Sequence, residues 1–73
     1  MKICKVKMIW DNGYWHTKTD SELNLVLESG SFDALVERVR IAVPEMLELN
    51  SGYKGEVQLI FETERVDLMR AVG

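Results

Sequence analysis

Apolar and polar residues alternate along 2–10. Cys4, Val6, Met8 and Trp10 share one face, and Ile3, Lys5, Lys7 and Ile9 share the other. This period of two predicts a half-buried strand. Asp11-Asn12-Gly13 follows, and Asn-Gly supplies the two positive-φ residues of a type I′ hairpin turn. With that turn, Asp11 pairs with Tyr14 and Trp10 sits opposite Trp15, whereas a three-residue turn shifts the register. Residues 14–19 form the return strand, and the polar run Thr19-Asp20-Ser21-Glu22 is a connection. Alternation resumes over 23–28, with Leu23, Leu25 and Leu27 on one face and Asn24, Val26 and Glu28 on the other. That predicts a third strand, which Ser29-Gly30-Ser31 ends.

From Phe32 the period becomes helical. Phe32, Leu35, Val36, Val39, Ala42, Val43, Met46 and Leu47 form one stripe, and Glu37, Arg38, Arg40, Glu45 and Glu48 lie off it. Ser31 suits the N-cap, and Asp33 in the first turn favours the helix dipole. Pro44 removes one hydrogen bond and crowds the Arg40 carbonyl, which predicts a kink or two helices meeting at Val43-Pro44. Asn50-Ser51-Gly52 ends the helix. Residues 56–63 read as a fourth strand, with Val57, Leu59 and Phe61 inward and Gln58, Ile60, Glu62 and Glu64 outward. Residues 65–73 either extend that strand or form a helical turn carrying Val66, Met69 and Val72. The expected fold is therefore α+β: an antiparallel sheet with one helix packed on one face, in the order β-β-β-α-β. One domain spans 1–73.

Charge and length refine the picture. A chain of 73 residues has a thin core. Its single cysteine excludes an internal disulfide, and no Cys/His cluster offers a structural zinc site. Self-association is then the common remaining support for a domain of this size. The formal net charge is −3. Nucleic-acid binders concentrate basic charge, so direct nucleic-acid binding is not expected, and a basic protein partner suits this surface better. No apolar run is long enough to span a bilayer, and the lysine-bearing N-terminus is unlike a signal peptide. The expected location is the cytoplasm, with no membrane partner.

The succession of Trp10-Asp11-Asn12-Gly13-Tyr14-Trp15, Thr19-Asp20-Ser21, Leu25-Val26-Leu27-Glu28 and the amphipathic stretch from Phe32 through Asn50 resembles the HicB-like antitoxin domain. Val43-Pro44-Glu45-Met46-Leu47-Glu48-Leu49-Asn50 is most similar to a stand-alone branch of small bacterial proteins in that group. The resemblance implies a degraded ribonuclease-H-like sheet with one packed helix. It also implies neutralisation of a basic HicA-type toxin that cleaves messenger RNA. Many members carry a Pro-Gly turn where Glu22-Leu23-Asn24 stands here. Many also carry a C-terminal DNA-binding module, for which 65–73 leaves no room, so no separate DNA-binding domain is expected. The competing reading is a stand-alone oligomeric module that binds a small molecule or another protein, with no toxin partner.

Catalytic chemistry finds little support. Cys4 lies on an apolar face with no adjacent histidine and reads as a buried hydrophobe. His16 is the single histidine. Glu62, Glu64, Asp11 and Asp20 do not converge as a metal-dependent nuclease requires. The glycines never cluster into a phosphate-binding loop. No catalytic, metal or cofactor residues are expected, and the chain reads as a non-enzyme. Lys5, Lys7 and Lys18 form a small basic strip on the outer hairpin face, which suits protection of an exposed strand. Ile9, Val26 and Ile60 all point away from the helix. They are either β-branched residues on a wet face or a patch for association into a homodimer or higher oligomer.

Overall fold

The computed structural model describes residues 1–72. Strand β1 (Lys2–Asp11) turns at Asn12 and Gly13, with φ of 52° and 89°, into β2 (Tyr14–Lys18). Both turn residues are left-handed, as a type I′ turn demands. The register is the expected one, with Trp10 opposite Trp15 and Asp11 opposite Tyr14. A short β3 (Glu28–Ser29) adds antiparallel to β2. Helix α1 (Phe32–Ser51) follows, and β4 (Val57–Arg65) completes a sheet of order β3-β2-β1-β4.

The class and the β-β-β-α-β order are those expected, but the sheet is mixed, not antiparallel throughout. β4 runs parallel to β1, from Lys2 opposite Val57 to Trp10 opposite Arg65. The cause is the length of α1. At about 1.5 Å per residue its 20 residues span roughly 30 Å, which carries the chain from the end of β3 back along the sheet. The strand that follows must then run in the direction of β1 and β3.

Leu35, Val39, Val43 and Leu47 recur every fourth residue on α1 and are buried against Cys4, Val6 and Met8 of β1. Of the inward-facing strand residues, Val6, Met8 and Leu25 are buried, and Leu27, Leu59 and Phe61 pack half-buried against the core. The Ser31 hydroxyl caps α1 by accepting from the Ala34 amide at 3.3 Å. Gly52, at φ 68°, closes it, its amide donating to the Glu48 carbonyl at 2.9 Å. Pro44 does not divide the helix, which continues from Phe32 to Ser51 as one element. The proline is exposed, so its ring faces solvent and water can reach the Arg40 carbonyl that lacks an amide partner.

The expected third strand over 23–28 is mostly irregular. Leu23 and Leu25 are buried as foreseen, yet extended pairing begins only at Glu28. Side chains capture the backbone groups a ladder would use. Asp20 Oδ1 accepts from the Leu23 amide at 3.0 Å, and Thr19 Oγ1 from the Leu25 amide at 2.9 Å. The buried Thr17 hydroxyl accepts from the Leu27 amide and donates to the Leu25 carbonyl, each at 3.0 Å. Asn24 turns left-handed at φ 45°, which an extended strand does not allow. Lys2 Nζ to Glu22 at 2.7 Å and Asn50 Nδ2 to the Glu22 carbonyl at 3.2 Å fasten this segment to β1 and α1.

Residues 66–72 adopt neither of the expected conformations; they leave β4 as irregular chain. Val66, Leu68, Met69 and Val72 are between 73% and 96% exposed. Because β4 runs parallel to β1, this arm projects past the hairpin end. The molecule measures 57 × 19 × 18 Å, with a radius of gyration of 14.7 Å against roughly 11 Å for a compact chain of this length.

Candidate interaction surfaces

α1 covers one side of the sheet and leaves the other open. On the open side β1 contributes Ile3, Lys5, Lys7 and Ile9, β2 His16 and Lys18, and β4 Gln58, Ile60, Glu62 and Glu64. Ile60 stands beside Lys5, and Ile9 lies between His16 and Glu64. The pair Lys7 and Glu62 therefore separates Ile9 from Ile60. Val26 is 82% exposed but sits in the irregular segment ahead of β3, beside His16 and Glu28. The structure thus places Ile9, Val26 and Ile60 on the open side with polar side chains between them, and does not bring them into mutual contact.

Lys7 and Lys18 are directly opposite, as the type I′ register requires. Lys7 Nζ reaches Glu64 at 3.8 Å, an exposed pair that offsets the repulsion only weakly. With Lys5, Asp20 and Glu62 these lysines line a shallow hollow of mixed charge. The acidic residues are dispersed. Asp11 ends the hairpin, Asp20 is committed to the Leu23 amide, and Glu62 and Glu64 lie along β4. Among the described residues no three His, Cys, Asp or Glu side chains are placed to hold a metal ion.

Cys4 is buried in the core, and that burial pushes its thiol above the ordinary cysteine range. A thiol-reactive dye at mildly alkaline pH should label the native protein many times more slowly than the denatured chain. Equal rates in the two states would show that the β1 core is open in solution.

At the hairpin end Trp10 and Trp15 meet with ring centroids 5.2 Å apart, and Trp15 meets Phe32 of α1 edge-on at 5.0 Å. The Arg65 guanidinium lies 5.0 Å over Trp10 and bonds Asp67, so the last residue of β4 is held where the arm departs.

The solvent side of α1 carries a surface that the apolar stripe did not announce. Ile41 and Leu49 are 66% and 79% exposed; Glu37 and Glu45 stand one turn either side of Ile41, and Glu45 and Glu48 precede Leu49 within about one turn. Glu37 bonds Arg40 at 3.2 Å, and Glu48 lies 3.6 Å from Lys54. These surface pairs are exposed and leave Glu45 unpaired among the described residues. The signal was present in the sequence, since Ile41 and Leu49 fall outside the 35–39–43–47 spacing. Thr17 gave no comparable sign, because only the folded chain brings its hydroxyl to Leu25 and Leu27.

The sequence matches the family described as "Domain of unknown function (DUF1902)" over residues 3–72. The chain belongs to the DUF1902 family. The match includes the arm after β4, so residues 66–72 are part of the DUF1902 domain itself. A crystal structure of a hypothetical protein from the extremely thermophilic bacterium Thermus thermophilus is similar to this DUF1902 chain. It shares 28% identity over 93% of this chain and 100% of the other, with a TM-score of 0.76. No curated protein matches the sequence. No helix among the described residues is long and apolar enough to cross a membrane.

Proposed function

We propose that this DUF1902 domain is a non-catalytic, HicB-like interaction domain of the cytoplasm, which neutralises a basic HicA-type toxin by binding it. The observation that carries the reading is the acidic and apolar stripe of α1, with Ile41 and Leu49 exposed among Glu37, Glu45 and Glu48. Exposed aliphatic residues beside carboxylates, of which Glu45 is unpaired among the described residues, suit a partner that offers apolar anchors within a basic rim. The net charge of −3 adds long-range attraction to such a partner. The resemblance to HicB-like antitoxins supplies the toxin class, and the one-helix β-β-β-α-β architecture is consistent with it.

Co-expression with a HicA-type toxin tests the reading. The two proteins should co-purify, and messenger RNA cleavage by the toxin should stop when the domain is added. Ile41→Lys combined with Glu45→Lys should weaken the complex by roughly tenfold or more while the melting transition stays cooperative. Unchanged cleavage in the presence of excess folded domain would remove the antitoxin role.

A further inference from the structure

β4 forms one edge of the sheet; its nine residues carry the charges of Glu62, Glu64 and Arg65 but no lysine, proline or glycine to blunt the edge. The direction of its backbone groups follows from one bond: the Lys2 amide donates to the Glu56 carbonyl at 3.0 Å. Backbone groups alternate sides along a strand, so those of Gln58, Ile60, Glu62 and Glu64 face β1. Those of Val57, Leu59, Phe61, Thr63 and Arg65 face outward and are free to pair. We propose that this edge pairs antiparallel with the β4 edge of a second copy, about a two-fold axis at Phe61. The product is a dimer with one continuous sheet and both helices on the same side.

The charge pattern selects the register. Pairing must keep the helix side of both strands together, which leaves only shifts of two residues between neighbouring registers. With Phe61 opposite Phe61 of the second copy, all nine residues pair. Glu62 then faces Ile60, Glu64 faces Gln58, and Arg65 faces Val57. Centring on Ile60 instead sets Glu64 against Glu56, and centring on Leu59 sets Glu62 against Glu56. Moving the other way, centring on Glu62 opposes Glu62 to itself, and centring on Thr63 opposes Glu62 to Glu64. Directly opposed like charges destabilise a strand pair. The Phe61-centred register alone among these avoids them.

The same register gives the arm a place. Each β4 ends beside the start of its partner strand, so Leu68 and Met69 come level with Lys54 and Tyr53 of the second copy. A hollow lined by Pro44, Leu47, Tyr53, Lys54 and Val57 lies there. Apolar side chains that find no cover in their own chain thus reach a recess of the other in which Leu47, Tyr53 and Val57 stand beside Glu48 and Lys54. The dimer leaves the solvent side of α1 free and does not rest on the toxin reading.

Sedimentation of the purified full chain at micromolar concentration should give the mass of two chains. Ile60→Glu puts two symmetric carboxylate pairs across the axis and should weaken the dimer roughly tenfold or more. Within its own chain the new carboxylate lies beside Lys5, so the fold should persist. Adding Glu62→Lys should restore dimerisation. Thr63→Pro removes an edge amide that β1 does not use, and should yield a folded monomer. A monomeric wild-type chain would overturn the proposal, including one whose β4 edge instead accepts a strand from another protein. So would a dimer that Thr63→Pro and Ile60→Glu leave intact, or one that Glu62→Lys fails to restore.

Discussion

Leu35→Ala should remove a large share of this domain's stability, up to the whole of it. Leu35 is fully buried where the first turns of α1 meet the sheet. Removing a buried leucine typically costs about 2–5 kcal/mol, the transfer term and the residual cavity together. A chain of this size has a total stability of roughly 4–11 kcal/mol, and its buried core is only nine side chains deep in all. Urea denaturation followed by far-ultraviolet circular dichroism gives the difference directly. A midpoint unchanged from wild type would mean that α1 does not seal the core at this position. Leu49→Ala on the solvent side provides the contrast and should change stability little.

Thr17→Val should be the next most damaging change despite preserving shape. The hydroxyl is the acceptor for the Leu27 amide and the donor to the Leu25 carbonyl, in a residue only 5% exposed. Valine would leave both backbone groups without partners, at roughly 1–3 kcal/mol for each group that stays dry. Thr17→Ser keeps the hydroxyl and should recover much of the loss. Hydrogen exchange locates the effect: the Leu27 amide should exchange far sooner in the valine variant. Exchange as slow as wild type would mean that this bond does not hold the segment in place.

These two residues mark the border of what the sequence disclosed. Leu35 belongs to a periodic set, and periodicity is visible in one dimension. So were the Asn12-Gly13 turn, the Trp10 and Trp15 pairing, the Ser31 cap and the Gly52 stop, each of which depends on near neighbours. The irregular path of 20–27 was hidden because Leu23 and Leu25 alternate as strand residues do. They are buried by a chain whose ladder bonds have passed to Asp20, Thr19 and Thr17. The parallel setting of β4 was hidden for another reason: direction depends on how far α1 carries the chain, and Pro44 left open whether one helix or two covered that span. At the candidate surfaces, sidedness was legible and adjacency was not. Ile9 and Ile60 lie on the open side as their alternation required, but the register interposes Lys7 and Glu62.

The parallel join of β1 to β4 also sets a timetable for the chain as it is made. The hairpin of β1 and β2 closes over a two-residue turn and is a local event, complete in principle once residue 18 has emerged. The other side of β1 must wait for Val57–Arg65, so its partner is nearly the last part of the domain to be synthesised. Val6 and Met8, fully buried in the finished protein, are available early and covered late. The most central strand of this small sheet thus spends most of translation half-paired, and the longest loop in the fold must close before its second row of hydrogen bonds can form.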